Sequence, residues 1–160
     1  MLYAGEFIMR YEKFKKIQKK EHSEVTRLLK KTTHLTAREW VIARLCADFK
    51  NTQGRSEMTW IGEHLPDLVP FFHKPYSRQE VSNARATFKK KLERSGTTLF
   101  YSYYSGLITK EEMLEIIHNI TNNMNTLLDM EDEAATGDHS EGVQNIMVDI
   151  LRQINKAMEE

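Results

Sequence analysis

The chain has 160 residues, 40% hydrophobic and 29% charged, which is enough for one packed domain without a metal or disulfide staple. Its single cysteine, Cys46, excludes an intramolecular disulfide, and no apolar run approaches the roughly 18 residues of a membrane span. The zero net charge hides a division: residues 1–105 hold 20 Lys/Arg against 11 Asp/Glu, a net of +9, whereas residues 106–160 hold 3 against 12, a net of −9.

Such asymmetry points to a nucleic-acid or acidic-partner surface in the basic part, the alternative being that the two parts neutralise each other across a fold. The opening MLYAGEFIMR has neither a basic start nor a small-residue cleavage site, so the expected setting is cytoplasmic, with Met1 or Met9 as the native start.

In chain order, residues 10–31 place Tyr11, Phe14 and Ile17, then Val25, Leu28 and Leu29, at helical spacing among lysines. They read as two short basic helices or one broken one. Thr36 and Glu39 form a capping box that opens a helix from about Ala37 to Phe49, with Trp40, Ile42, Ala43, Leu45, Cys46, Ala47 and Phe49 apolar enough for burial on most sides. KNTQGRS ends it as a loop around Gly54. A helix from about Met58 to Leu65 turns Trp60, Ile61 and Leu65 inward. The following PDLVPFFHKPY is irregular on account of Pro66, Pro70 and Pro75, yet apolar, and reads as an ordered loop.

Ser77 with Glu80 opens a helix from about Arg78 to Arg94, with Val81, Ala84, Phe88 and Leu92 as its buried stripe and Gly96 as a left-handed cap. The β-forming TLFYSYYS then suggests a short strand at about Thr98 to Tyr103, a helical continuation being the rival reading. Thr109 with Glu112 opens a long helix carrying Met113, Ile116, Ile117, Ile120, Met124, Leu127 and Leu128. The acidic segment 129–142 reads as a mobile linker. A last helix from about Val143 to Met158 has a narrow stripe suited to packing on another helix, in its own chain or in a partner.

The expected fold is therefore mainly all-α. A helical domain over residues 1–128 contains a tri-helical, winged-helix-like core at 36–103, with one short strand at most. Two C-terminal helices complete the chain, the linker 129–142 preceding a packing or oligomerisation helix at 143–158.

Motif tests narrow the chemistry. GLITKEEML resembles the end of a calcium loop, but Tyr101, Tyr103 and Ser105 stand where carboxylates are needed. The six histidines lack ligand spacing, so no metal is expected, and no phosphate loop, nucleophile elbow or dinucleotide fingerprint occurs. Cys46 lies in the most apolar helix and reads as a structural thiol. The expectation is a non-enzymatic protein without a cofactor. Tyr101, Tyr103 and Tyr104 as pocket-lining groups are the one enzymatic alternative.

What survives is the tri-helical arrangement over 36–103, which looks like a helix-turn-helix or winged-helix module. Arg78, Ser82 and Arg85 would face base edges, and Lys89, Lys90, Lys91 and Arg94 would hold phosphates. Lys15, Lys16, Lys19 and Lys20 would add to the basic surface. The predicted function is nucleic-acid binding, of DNA in first place or of RNA, by an accessory or regulatory protein. The alternative is a non-enzymatic protein-interaction or oligomerisation module of unknown partner, with residues 143–158 as the surface for a homo-oligomer.

As whole segments, HLTAREWVIARLCADF, EMTWIGEHLPDLVPFF and EVSNARATFKKKLERSGTTLFY resemble a family of small archaeal proteins of unassigned function, over about residues 9–131. That resemblance implies an archaeal cytoplasmic setting, brings no catalytic residue, and leaves the last helix as an extension.

Overall fold

The computed structural model describes residues 22–69, 71–131 and 140–158. Among the described residues there are six helices, α1 (His22–Thr32), α2 (Ala37–Asp48), α3 (Met58–Leu68), α4 (Arg78–Tyr104), α5 (Lys110–Glu131) and α6 (Ser140–Met158). The fold is all-α, and among the described residues the only β pairing is an isolated bridge between Lys50 and Ser56.

Three of the starts are fixed by Ser/Thr-x-x-Glu boxes. Thr36 Oγ1 accepts the Glu39 N–H while Glu39 Oε1 accepts the Thr36 N–H, and Ser77 with Glu80 and Thr109 with Glu112 repeat the exchange. Each box satisfies orphan donors of an opening turn, contributing about 1 kcal/mol.

The chain divides into two compact units, Met1–Tyr101 and Ser102–Glu160. In the first, Val41, Ile42, Leu45, Cys46 and Phe49 of α2 and its C-terminus meet Ile61, Leu65 and Leu68 of α3 and Val81 and Ala84 of α4 in one core. Burying each of the larger side chains contributes about 1.5–3 kcal/mol. Val25 and Leu29 of α1 are also fully buried. The loop after α2 is closed by Asn51, whose side-chain oxygen accepts the N–H groups of Gln53 and Arg55, with Gly54 at φ 76°.

Pro66 does not end α3 as the sequence suggests. The helix continues to Leu68 because the bond Pro66 cannot donate is replaced: the Gly62 carbonyl accepts the Tyr76 N–H at 2.9 Å instead. Absence of a side chain at Gly62 lets the Tyr76 backbone come this close. The segment between α3 and α4 is thereby held on α3. Phe71, Phe72 and Tyr76 pack against the core, with Phe72 edge-on to Tyr76 and the Arg38 guanidinium over the Tyr76 ring at 4.8 Å.

The expected strand at Thr98–Tyr103 is helix, and the rival reading is the observed one. α4 runs through Gly96 to Tyr104, and the left-handed cap lies ten residues later, at Gly106 with φ 80°. There the Leu107 N–H reaches the Ser102 carbonyl and the Gly106 N–H the Tyr103 carbonyl, closing the helix in a Schellman motif. With helix at 98–103, no strand follows the third helix of the tri-helical set among the described residues.

In the second unit α5 packs on α6. Met113, Thr121 and Met130 of α5 and Val143 of α6 are buried, and the Thr121 hydroxyl lies 3.8 Å from Met147 Sδ. Residues 129–131 and 140–142 of the expected linker are helical, while 132–139 lie outside the described residues, as do the helices expected before His22. No described helix is long and apolar enough to cross a membrane.

Candidate nucleic-acid interface

The division of charge follows the division of structure. The first unit carries the 20 Lys/Arg and 11 Asp/Glu of the basic part, and the second the 3 and 12 of the acidic part, because residues 102–105 hold no charge. Within the first unit, α4 presents the most ordered array of cations.

At about 100° per residue, positions 78, 82, 85 and 89 share one face of α4, while 90 and 94 share another. The seven predicted positions therefore separate into three groups. Arg78, Ser82, Arg85 and Lys89 form one row, with Arg78 and Lys89 exposed and Ser82 and Arg85 half-buried toward the core. Lys90 and Arg94 form a second, exposed row.

Lys91 stands apart. Its ammonium donates to Glu39 Oε1 at 2.5 Å, and the two side chains are 28% and 9% exposed. Of the described residues of α4 only Val81 and Ala84 are buried, and Leu92, expected in the buried stripe, is 52% exposed. Lys91 takes the inward position instead. It is committed to the carboxylate that also completes the cap of α2, and so acts as a structural clamp rather than a free phosphate contact. Lys15, Lys16, Lys19 and Lys20 lie outside the described residues.

Among the described residues no carboxylate pairs with Arg78, Lys89, Lys90 or Arg94. Exposed cations without a partner raise the local potential and attract polyanions, as Lys91 in its ion pair does not. Arg27, Lys30 and Lys31 of α1 and Lys50 and Arg55 of the following loop are further exposed cations in the same unit.

Other candidate chemistry is not assembled. Cys46 is 1% exposed, and burial pushes its thiol up, although the Arg85 charge and the Ser56 hydroxyl act the other way. A protonated, enclosed thiol is a packing group. Tyr101, Tyr103 and Tyr104 are 63%, 44% and 83% exposed and line no enclosed site. Among the described residues no group of three His, Cys, Asp or Glu is placed to hold a metal ion. The turn at Gly106 is accounted for by the Schellman closure of α4 and the capping box of α5.

Two features escaped the sequence reading. Glu39 was legible as a cap residue but not as the partner of Lys91, since a contact across 52 residues leaves no local signal. The exposed rings Phe100 and Tyr101 were assigned to a strand, and only the continuation of α4 puts them in line with the cations.

Nothing among curated proteins and nothing among solved structures matches the chain. A match to a family of unknown function, DUF5806, covers residues 13–160, so the last helix lies within the family's own pattern and is not an extension of it. The chain belongs to that family, DUF5806.

Proposed function

We propose that the protein binds nucleic acid through the outward rows of α4, as an accessory or regulatory protein without catalytic activity. The observation that carries this reading is the set Arg78, Lys89, Lys90 and Arg94, exposed on one helix of the basic unit and unpaired with any carboxylate among the described residues. Insertion of α4 into a duplex groove, as in a helix-turn-helix protein, is not part of the proposal. Nine residues separate α3 from α4, against the three or four of that motif. The sequence resemblance supports an archaeal cell, and the lone thiol a reducing cytoplasm.

Phosphate contacts release counterions, so affinity falls steeply with salt. Changing Lys89, Lys90 and Arg94 together to alanine is expected to weaken binding to all sequences alike and to flatten the log–log salt slope by about three. Lys91 is left in place because of its pairing with Glu39. Unchanged affinity and slope, measured by fluorescence anisotropy, would remove α4 from the interface.

A second reading is self-association through α6. It is favoured by Ile146, Val148 and Ile150, which are 59%, 51% and 50% exposed on a helix whose Val143 is covered. Changing Ile146 and Ile150 to glutamate should then convert a dimer to a monomer in sedimentation velocity without altering the circular dichroism. A wild-type monomer would exclude it.

A further inference from the structure

The two cation rows of α4 do not end in solvent alone. Phe100 stands eleven residues after Lys89, a spacing of about three turns, and so on the same face as Arg78, Ser82, Arg85 and Lys89. Tyr101 stands seven residues after Arg94, about two turns, on the face of Lys90 and Arg94. Each row of cations thus leads to an aromatic ring, and the rings are 44% and 63% exposed. Between Lys89 and Phe100, on the first face, lies Gly96, where an added side chain would meet nothing within 4 Å. The exposed carboxylate of Glu93, seven residues before Phe100, also stands on this side of the helix, between the last cation and the ring.

We infer that this surface takes single-stranded rather than duplex nucleic acid. The inference rests on the nucleic-acid reading above and names its target class. Exposed rings are costly in water, and among the described residues neither ring belongs to the unit's core. A duplex offers a polyanion, which would satisfy the cations, but its bases are stacked on each other and show only their edges. A single strand offers phosphates to Arg78, Lys89, Lys90 and Arg94 and free base faces to Phe100 and Tyr101. Stacking on an aromatic side chain tolerates every base, so the binding is expected to depend little on sequence. DNA and RNA strands share this chemistry.

The test uses the full chain and four labelled probes: oligothymidylate, oligouridylate, a mixed-sequence duplex DNA and a structured RNA hairpin. The single strands are longer than the roughly 4–16 nucleotides such sites cover. The expected result is tighter binding of a single strand than of either double-stranded probe, and the better of the two homopolymers identifies the source as DNA or RNA. Changing Phe100 and Tyr101 together to alanine is expected to lower single-strand affinity at least about tenfold while leaving duplex affinity within about twofold. Exchange of Phe100 for Tyr and Tyr101 for Phe, which keeps both rings, should retain it. Both positions are exposed, and an unchanged melting curve shows that the variant folds.

Duplex binding equal to or tighter than single-strand binding overturns this inference and leaves the broader reading standing. Single-strand affinity unmoved by loss of both rings overturns it too, and a change in sedimentation of that variant would assign the rings to a protein contact. No binding to any probe overturns both readings together.

Discussion

Replacing Gly62 with alanine is expected to cost at least about 3 kcal/mol and to lower the melting temperature by roughly 6–12 °C. An added Cβ would fall far inside van der Waals contact with the Tyr76 carbonyl oxygen and 3.3 Å from Val81 Cγ2. The obstructing atom is backbone, held where it is by the Tyr76 N–H donating to the Gly62 carbonyl, so it cannot swing aside as a flexible side chain would. That carbonyl is available because Pro66, four residues on, has no N–H to give it. Movement of Tyr76 would break this bond and disturb both its edge contact with Phe72 and the approach of Arg38. A control at Glu63, exposed on the same helix, should stay within about 0.5 kcal/mol of wild type. Equal melting temperatures for Gly62→Ala and wild type would show that the segment after α3 is not held in this way.

Loss of the Glu39 carboxylate is the other large effect. Its Oε1 accepts both the Thr36 N–H at 3.0 Å and the Lys91 ammonium, tying the start of α2 to the middle of α4. Glu39→Ala removes half the capping box and leaves a partly buried ammonium without its partner, at an expected cost of about 2–3 kcal/mol. Glu39→Gln keeps an acceptor for the cap and loses only the charge, so about half that loss is expected.

Burial by itself would raise the Glu39 pKa. The bonds from Lys91 and Thr36, together with the Lys91 charge, outweigh it, and the carboxyl is held below its ordinary 4.5. A carboxylate with a depressed folded pKa stabilises the fold fully above its unfolded value and loses that contribution as pH falls through the folded one. The stability difference between wild type and Glu39→Gln, from urea unfolding, should therefore be constant from neutral pH down to about 5 and shrink below about 4.5. A difference that stays level into strong acid would mean that the ion pair contributes nothing.

What the sequence disclosed was local. Capping boxes at Thr36, Ser77 and Thr109 declare themselves by a spacing of three residues, and all three starts were read correctly. Helix ends were harder. Gly96 and Gly106 are both followed by threonine or apolar residues, but only Gly106 adopts positive φ, and the β-forming residues between them are held in helix by the continuity of α4. Pro66 reads as a stop in sequence because the donor that replaces its missing N–H, Tyr76, lies ten residues further on. Pro66 leaves the Gly62 carbonyl free, and the missing side chain at Gly62 admits the Tyr76 backbone that takes it up.

The candidate site was legible as a set of cations but not as a geometry. Spacing alone places Arg78, Ser82, Arg85 and Lys89 on one face. It could not show that Lys91 turns inward to Glu39, or that Leu92 and Phe100 of α4 are exposed. The division of charge near residue 105, by contrast, anticipates a structural boundary, since the chain divides into its two compact units between Tyr101 and Ser102.

Binding of nucleic acid by the basic unit comes before any question of strand or sequence. Fluorescence anisotropy of labelled duplex DNA, structured RNA and single strands, titrated with the full chain at low and near-physiological salt, tests it most directly. Binding at low salt that weakens steeply as salt rises, in proportion to the phosphates neutralised, is the predicted result. Absence of binding to every probe at low salt would contradict it.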